Sequence, residues 1–260
     1  MSCQIVLMTD FGDSPYQGVM KGVVKRICPS ADIIDLYHGI SPQSVAEAAY
    51  VLAGCAGYFS ERSVFVCVVD PGVGSQRKII IAETGNHIYI APDNGLLSLV
   101  LKKEKIRRIV EASNPAYRLP ELSGTFHGRD IFAPAAAHIA AGADIIDFGE
   151  VVNDVEEISL YEPVYSPTTS RGHIIFIDRF GNLVTNIESS RFESGEGLST
   201  ILAGKRISGL YGNYSEVQEG QPVVLKGSFG YIEIGVRNSD ACRYFGASVG
   251  DNVTIETDAQ

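Results

Sequence analysis

Two polar side chains stand where acid–base or electrostatic chemistry needs them, at the end of one buried segment. Val64 to Val69 is an apolar run that leads directly into Asp70, a glycine-rich loop and Arg77. A short run rich in Val and Phe, bounded by Asp, Pro and Gly, predicts a strand covered on both faces. Asp70 then lies at the carboxyl end of that strand, where open α/β sheets place their ligands. The alternative is that Asp70 and Pro71 only open a turn, which Asp-Pro-Gly does well.

A second group of reactive side chains lies in the stretch GTFHGRD, which spans Gly124 to Asp130. It places an imidazole, a guanidinium and a carboxylate beside two glycines before an Ala-rich segment that is helical by propensity. Loops of this kind carry function more often than packing. If the preceding strands are parallel, Asp10, Asp70 and His127 lie on loops at one sheet edge, which would form a polar cleft.

The elements that must position these side chains can be read from apolar runs and helix starts. Three apolar runs are separated by helical segments, and each helix starts with Ser followed by Pro, a pattern typical of a cap and a first helical residue. This order predicts βαβ units in a mainly parallel sheet. A hairpin signal, Thr-Gly-Asn between two apolar runs, follows. The predicted strands are Gln4–Thr9, Asp32–Tyr37, the run from Val64, Lys78–Glu83, His87–Pro92 and Arg108–Glu111, and the predicted helices follow Ser14-Pro15, follow Ser41-Pro42, span Leu96–Val100 and occupy the Ala-rich segment.

The second part of the chain has a different pattern of residues. A cluster of Pro, Ser, Thr and Gly near residue 165 is typical of a linker. Beyond it, short apolar runs alternate with Gly, Asn and Ser turns, which predicts a small barrel or sandwich. We therefore predict an α/β domain at 1–164 and a smaller β-barrel-like domain at 165–260. The strands expected there are Gly172–Ile177, Leu183–Ile187, Pro222–Leu225 and Tyr231–Val236.

Charge and cysteine content narrow the class of protein. The 260-residue chain has a formal net charge of −10 and no long Lys/Arg cluster, which argues against a nucleic-acid or anionic-membrane partner. Its five cysteines form no CxxC pair, and we expect them to be reduced and structural. The amino-terminal stretch lacks a basic region before its apolar run, so no signal peptide is expected and a cytoplasmic location is predicted. No histidine shows metal-ligand spacing with the cysteines, and His138 is assigned to packing, so no metal is expected.

The loop PGVGSQR contains part of a dinucleotide-binding fingerprint. The third glycine of that fingerprint is replaced by Arg77, and a strand rather than a helix follows. A pyrophosphate site of the Rossmann type needs a helix N-terminus directly behind the glycines. The dinucleotide interpretation is therefore weak.

Two stretches of the second domain combine aromatic rings with amides and hydroxyls. They are Asp178–Asn186, DRFGNLVTN, and Ser228–Asn238, SFGYIEIGVRN. Stacking together with amide hydrogen bonds is what recognition of a purine requires. The alternative is a set of ordinary β-turns, since Asn and Gly dominate turns in any case.

Six motifs together resemble one family. In chain order they are TDFG, VVDPGVGS with a following Arg, APDNG, TFHGRD, IDRFGNLVTNI and GSFGYIEIGVRN. They resemble the S-adenosyl-L-methionine hydrolases that form adenosine, relatives of the fluorinase and chlorinase enzymes, from residue 8 to about residue 246. The resemblance implies an N-terminal α/β domain, a C-terminal β-barrel-like domain and a homotrimer. In that trimer, each active site would lie between the N-terminal domain of one subunit and the C-terminal domain of its neighbour.

The resemblance also implies roles for individual residues. Asp70, Arg77 and His127 match the trio that positions and activates a water, and Asp10 matches the ribose-hydroxyl contact. Phe229 stands where the halogenases have an Arg near the methionine carboxylate. The residues that match the adenine and methionine contacts are Asn182, Tyr214, Ser228, Glu233, Val236, Arg237 and Asn238, with Phe180 as a stacking ring.

The expected activity is hydrolysis of S-adenosyl-L-methionine to adenosine and L-methionine, by in-line attack of activated water at the ribose C5′, without a cofactor. The sulfonium leaves as a neutral thioether, so the reaction needs a positioned nucleophile more than an acid. A base such as His127 can add on the order of 10² to 10⁴ in rate. Two alternatives stay open, a halide-dependent adenosyl transferase and a non-catalytic binder of S-adenosylmethionine or adenosine. The Asp70, Arg77 and His127 set disfavours both.

Overall fold

The protein is described here from a computed structural model that covers residues 3–158, 162–193 and 197–257. Contacts divide the chain into two compact units, Met1–Ser159 and Leu160–Gln260. We call them unit 1 and unit 2. The domain limits predicted from the sequence, 1–164 and 165–260, stay a prediction. Within the described ranges, no helix is both long and apolar enough to cross a membrane.

Unit 1 is a mixed α/β structure. Its elements are β1 Gln4–Thr9, α1 Tyr16–Ile27, β2 Asp32–Tyr37, α2 Val45–Cys55, β3 Val64–Val68, β4 Ile79–Thr84, β5 Ile88–Pro92, α3 Ser98–Lys103, β6 Ile106–Glu111 and α4 Ala133–Ala140. Short 3-10 turns lie at Ala56–Tyr58, Pro115–Tyr117 and Ile145–Phe148, and a π-helix at Gly128–Phe132 leads into α4.

The sheet of unit 1 confirms the predicted topology. In the described residues its order is β2-β1-β3-β5-β4-β6. The β1–β2, β1–β3 and β3–β5 pairs are parallel, and β4 is antiparallel to both of its neighbours. The sheet is therefore mainly parallel, and the predicted hairpin supplies the reversed strand.

Strand β3 is buried along its whole length, as its composition predicts. Val64, Val66 and Val68 belong to the core that contains residues of α1 and α4. Phe65, from the alternate positions of the strand, stacks on Tyr89 of β5 with ring centroids 5.3 Å apart. Because both faces of β3 are covered, its carboxyl end delivers Asp70 from a rigid part of the core.

Both predicted helix starts in unit 1 are displaced. Helix α1 begins at Tyr16, and the Ser14 hydroxyl bonds to the side chain of Gln17 instead of capping a backbone N–H group. Helix α2 begins only at Val45, because Gln43 has a φ of 65° and cannot be helical. That left-handed residue points its N–H group at Asp10, so the shorter helix has a consequence for the candidate site.

Unit 2 confirms the predicted β-barrel-like domain. Its elements are β7 Val164–Tyr165, β8 Thr169–Ile177, β9 Leu183–Glu188, β10 Leu198–Leu202, β11 Lys205–Ser208, β12 Pro222–Lys226, β13 Tyr231–Val236, α5 Ala241–Phe245 and β14 Asn252–Thr257. In the described residues the antiparallel order is β11-β10-β14-β8-β9-β13-β12, with β7 on β8. The chain after β11 returns to β12, where Tyr211 N donates to Val224 O at 2.9 Å. This contact brings the two ends of the sheet together and nearly closes it.

Candidate active site

Asp70 and Arg77 form a two-pronged ion pair at the carboxyl end of β3. Arg77 Nε lies 2.9 Å from Asp70 Oδ1, and Arg77 Nη2 lies 2.5 Å from Asp70 Oδ2. The side chains are only 5% and 12% exposed for Asp70 and Arg77, respectively. A fork-shaped guanidinium and a carboxylate held this way fix each other's orientation as well as their charges.

The loop between Asp70 and Arg77 is a series of tight turns. Val73 N donates to Asp70 O, and Ser75 N donates to Gly72 O. Gly74 has a φ of 78°, and a Cβ atom placed there would lie 2.4 Å from the carbonyl oxygen of Gly124. Glycine is therefore required at 74 both by the backbone conformation and by the close approach of the loop that carries His127.

His127 completes a trio with this ion pair. Arg77 Nη2 lies 2.8 Å from His127 Nδ1. Because a guanidinium carries only donors, Arg77 donates and Nδ1 accepts. The imidazole is then neutral and carries its proton on Nε2. Burial lowers the pKa of His127, and the nearby charge of Arg77 lowers it further, against the opposing effect of Asp70 and Asp130.

Asp130 holds the loop of His127 in place. It is fully buried, accepts from Ser123 N at 2.6 Å through Oδ2, and pairs with Arg129 Nε at 2.6 Å through Oδ1. The π-helix begins one residue after His127, and such irregular turns are frequent at functional sites. The sequence analysis noted this carboxylate in HGRD but assigned it no role. Its burial shows that it positions the loop.

Asp10 lies at the same edge of the sheet, because Thr9 of β1 pairs in register with Val68 of β3. Asp10 Oδ2 accepts a hydrogen bond from Gln43 N at 2.9 Å, and this bond uses the left-handed conformation of Gln43. The expected edge with Asp10 and the trio is therefore present.

A network that the sequence analysis missed supports the turn after β1. Thr9 Oγ1 lies 2.9 Å from His38 Nδ1, and His38 Nε2 lies 3.0 Å from Asp35 Oδ1. Lys21 Nζ donates to Asp35 Oδ2 at 2.5 Å. His38 O also accepts from Gly12 N at 2.8 Å, so both flanks of Asp10 are held by one residue. The sequence feature that could have revealed this network is His38, which lies three residues after Asp35 at the end of a predicted strand.

In unit 2, three of the predicted substrate contacts gather around one glycine. A Cβ atom on Gly235 would lie 2.6 Å from the ring of Tyr214 and 3.0 Å from Asn182 Oδ1. The Tyr214 hydroxyl donates to Glu233 Oε1. Burial raises the pKa of Glu233 against the lowering effect of the Tyr214 hydrogen bond, and the charge of Asp178 raises it further. The cluster offers an amide, a phenol and a carboxyl group within a small region.

Asp178, which the sequence analysis did not assign, orients this cluster. Its Oδ2 accepts from Asn182 Nδ2 at 2.9 Å, and its Oδ1 accepts from the backbone N–H groups of Phe180 and Asn182. Asp at the start of a Gly-containing turn is the sequence signal for such bonds. One amide hydrogen of Asn182 is thereby used inside the protein, while its Oδ1 faces Gly235.

The remaining predicted substrate contacts in unit 2 differ in their exposure and in the hydrogen bonds that they already make. Phe180 is 77% exposed and presents a free ring face, and Ser228 is exposed in the β12–β13 turn. Val236 is buried, with 2% of the residue exposed. Arg237 Nη1 donates to the carbonyl oxygen of Val217 at 2.6 Å. Asn238 is exposed with a φ of 56°.

A cavity of about 920 Å³ lies at the opposite end of the sheet in unit 1. The residues that line it include none of the candidate site residues. Its charged groups pair with one another, since Arg108 lies 3.0 Å from Glu83 and 3.3 Å from Asp144. This cavity and the reactive side chains are therefore in different places. Among the described residues, no group of three or more His, Cys, Asp or Glu side chains is arranged to hold a metal.

Known protein families match both parts of the chain. Residues 5–149 match the model of the SAM hydroxide adenosyltransferase N-terminal domain, and residues 172–254 match that of the C-terminal domain. An (R)-S-adenosyl-L-methionine hydrolase from Thermus thermophilus is 35% identical over 96% of this chain and 98% of the relative. A fluorinase from Actinoplanes is 29% identical over 96% of each.

A solved structure is also similar. The crystal structure of a conserved protein from Thermotoga maritima is 34% identical and has a TM-score of 0.92, over 96% of this chain and 99% of that one. Both family-model domains are matched in order, and together they span more than half of the chain. The chain belongs to the SAM hydroxide adenosyltransferase family.

Proposed function

We propose that this protein hydrolyses S-adenosyl-L-methionine to adenosine and L-methionine. The observation that carries the proposal is the continuous contact of Asp70, Arg77 and His127 at one end of β3. Relatives named (R)-S-adenosyl-L-methionine hydrolase support it. The trio concentrates charge and hydrogen-bond capacity where a small nucleophile can be held.

The reaction depends chiefly on holding the water and the substrate in the geometry of attack. Water attacks the ribose C5′ in line with the sulfonium, the carbon–sulfur bond breaks, and methionine leaves as a neutral thioether. Holding two reactants in attack geometry can contribute roughly 7 to 11 kcal/mol. We assign the ribose hydroxyls to Asp10 on the family resemblance, and the N–H group of Gln43 fixes that carboxylate.

The geometry favours Asp70 over His127 as the acceptor of the water proton. The Nδ1 lone pair of His127 is occupied by Arg77, and its Nε2 carries the proton, so the ring acts as a donor. Attack by water creates a protonated alcohol, which is a far stronger acid than a carboxylic acid. The carboxylate of Asp70 retains lone pairs beyond those used by Arg77 and can take that proton. His127 Nε2–H and Arg77 orient the water and stabilise hydroxide character in it.

Unit 2 supplies the contacts for the rest of the substrate. Asn182, Tyr214 and Glu233 recognise polar edges of adenine, and the exposed ring of Phe180 stacks on its face. The residues assigned to the adenine and methionine ends on the resemblance are Ser228, Val236, Arg237 and Asn238. No cofactor or metal takes part in the proposed step, and a cytoplasmic location is part of the proposal.

The proposal includes a homotrimer in which each site draws on two subunits. Its support is the family resemblance, which assigns candidate residues to both units. Mixing an inactive Asp70→Asn variant with an inactive Asn182→Ala variant should restore part of the activity, since some assembled sites would contain both intact halves. A fully active monomer in light scattering would contradict the arrangement.

Incubation of the purified protein with S-adenosyl-L-methionine tests the proposed activity. Adenosine and methionine should form in equal amounts, and the Asp70→Asn variant is the control. A lasting 5′-chloro nucleoside in excess chloride would favour the halide-dependent alternative. Calorimetric binding without turnover would favour a non-catalytic binder.

A further inference from the structure

The APDNG motif, residues 91–95, lies beside the trio. It contains none of the residues assigned above to substrate contacts. Asn94 Nδ2 donates to the carbonyl oxygen of Val69 at 3.0 Å, and Asn94 Oδ1 accepts from Leu96 N at 3.2 Å. Asp93 N donates to the carbonyl oxygen of Lys78 at 2.9 Å. The loop therefore contacts the residue just before Asp70 and the residue just after Arg77.

The Asn94 bond continues the sheet beyond its regular ladder. The parallel register of β3 with β5 runs from Val64 opposite Ile88 to Val66 opposite Ile90. Val69 follows the end of β3 and is fully buried, so its carbonyl needs a hydrogen-bond donor. The Asn94 amide supplies that donor, which fixes the backbone from which Asp70 extends.

A second segment, residues 152–158, holds the Asn94 loop from its other side. Glu156 N donates to Asp93 Oδ1 at 2.9 Å, and Ile158 N donates to Ser98 Oγ at 2.9 Å. Gly95 has a φ of 90°, and a Cβ atom there would lie 2.6 Å from Ile158 N. The loop is thus packed between this segment and the start of the trio, and Asn94 has a fixed platform from which to donate.

We propose that Asn94 is a positioning residue, which sets the Asp70–Arg77 pair against His127 through its bond to the Val69 carbonyl. The inference rests on the proposed function for its effect on catalysis. Its structural content, the placement of the ion pair, stands independently of which reaction the site performs. Both residues of the pair are tied to this loop, Asp70 through Val69 and Arg77 through Lys78.

The test compares Asn94→Ser with a matched control, Asn114→Ser. Asn114 makes the same two kinds of bond, Nδ2 to Asp147 O at 2.6 Å and Oδ1 from Ala116 N at 3.0 Å, but its partners belong to two 3-10 turns and not to the end of β3. Serine retains a hydroxyl that can accept the local N–H bond and loses the longer reach of the amide. Both variants therefore lose one long-range bond of similar chemistry.

Asn94→Ser should lower kcat by on the order of 10²-fold, because small displacements of a catalytic group have effects of that size. KM should stay within about threefold, since ground-state binding is not removed. Asn114→Ser should keep the wild-type kcat. Equal kcat values for the two variants would overturn the inference. If Asn94→Ser does not fold, Asn94→Asp makes the same comparison, because it keeps the acceptor for Leu96 and loses the donor to Val69.

A second readout does not need turnover. The ring of His127, identified by its loss in His127→Gln, can be titrated by NMR in the wild type and in both Asn variants. If Arg77 is displaced in Asn94→Ser, the pKa of His127 should rise toward its usual value, while Asn114→Ser leaves it unchanged. An unchanged titration in Asn94→Ser overturns the positioning role. A wild type that shows the expected titrations but no hydrolysis would instead refute the proposed function alone.

Discussion

Two polar clusters lie at opposite ends of the same sheet in unit 1, and they differ in how their hydrogen-bond capacity is used. At the carboxyl end, the trio of Asp70, Arg77 and His127 leaves a ring N–H group and carboxylate lone pairs free of the internal bonds described above. At the amino end of β5, Glu104 accepts from Tyr89 and Thr84 at 2.8 Å and 2.5 Å. In this second cluster, both carboxylate oxygens of Glu104 therefore accept hydrogen bonds from side chains of the protein itself.

The same two clusters differ in how their pKa shifts arise. Burial raises the pKa of Tyr89, and the hydrogen bond and charge of Glu104 raise it further, so the phenol stays a donor. His127 has its pKa lowered by burial and by Arg77 while it stays next to the open end of a strand. The comparison teaches that buried charge alone does not identify a functional site. A functional site also keeps hydrogen-bond donors and acceptors that can bind a ligand.

The largest effect is expected from removing charge in the trio. Asp70→Asn keeps the shape of the side chain but weakens both the bond to Arg77 and the acceptor for the water proton. We expect kcat to fall by on the order of 10² to 10⁴. Circular dichroism must show a folded protein, since Arg77 is largely buried and loses its counter-charge. A folded variant with wild-type kcat would remove Asp70 from the mechanism.

A backbone change should separate position from charge. Gly74→Ala would bring a Cβ atom to 2.4 Å from Gly124 O and displace the loop of His127. We expect kcat to fall by on the order of 10²-fold, as for other small displacements. Gly142→Ala is the control, because Gly142 also has a left-handed φ, of 103°, but no atom lies near its added Cβ. Equal losses in both variants would point to backbone strain instead of loop separation.

The amino-end cluster should affect stability without affecting catalysis. Glu104→Gln replaces one acceptor oxygen by a donor, so either Tyr89 loses its acceptor or Thr84 keeps only the His87 carbonyl oxygen as acceptor. We expect the free energy of unfolding to fall by about 1 to 3 kcal/mol, measured by denaturant titration. The kcat value should stay at the wild-type level. A large loss of kcat at unchanged stability would break the comparison between the two clusters.

The smallest expected effect is a change of folding stability with pH that depends on His87. Burial lowers the pKa of His87, against the opposing effects of Glu104, the Ala56 carbonyl and Glu61. Because the folded pKa lies below the unfolded one, this contribution to stability is fully present above the unfolded pKa of about 6.5 and is lost as the pH falls from there through the lower folded pKa. The slope is at most about 1.4 kcal/mol per pH unit for one histidine. His87→Gln should flatten the acid side of the stability profile, and an unchanged profile would contradict this assignment.

Much of the fold follows from local patterns. The run from Val64 is a buried strand, the Thr-Gly-Asn turn joins β4 and β5, and the alternating runs after residue 165 form the barrel-like sheet. Helix starts were less predictable. Gln43 adopts a left-handed conformation because a distant carboxylate, Asp10, accepts its N–H group, and no local propensity carries that information.

The sequence predicts that the trio lies at one sheet edge but not how its members bond. Motif order brought Asp70, Arg77 and His127 to attention, and the structure brings them together. The direction of the Arg77–His127 bond, which makes His127 a donor, depends on three-dimensional contact. The positioning roles of Asp130, Asp178 and Asn94 also depend on burial and on partners distant in the chain, which spacing does not reveal.

The most direct measurement of the central claim is the fate of the oxygen atom from water. Hydrolysis run in ¹⁸O-water should place the label on the 5′ oxygen of adenosine, leave methionine unlabelled and release no free adenine. Asp70→Asn should slow the appearance of labelled adenosine without changing where the label goes. Labelled ribose together with free adenine would mean attack at C1′, and would contradict the assignment of the trio to C5′ displacement.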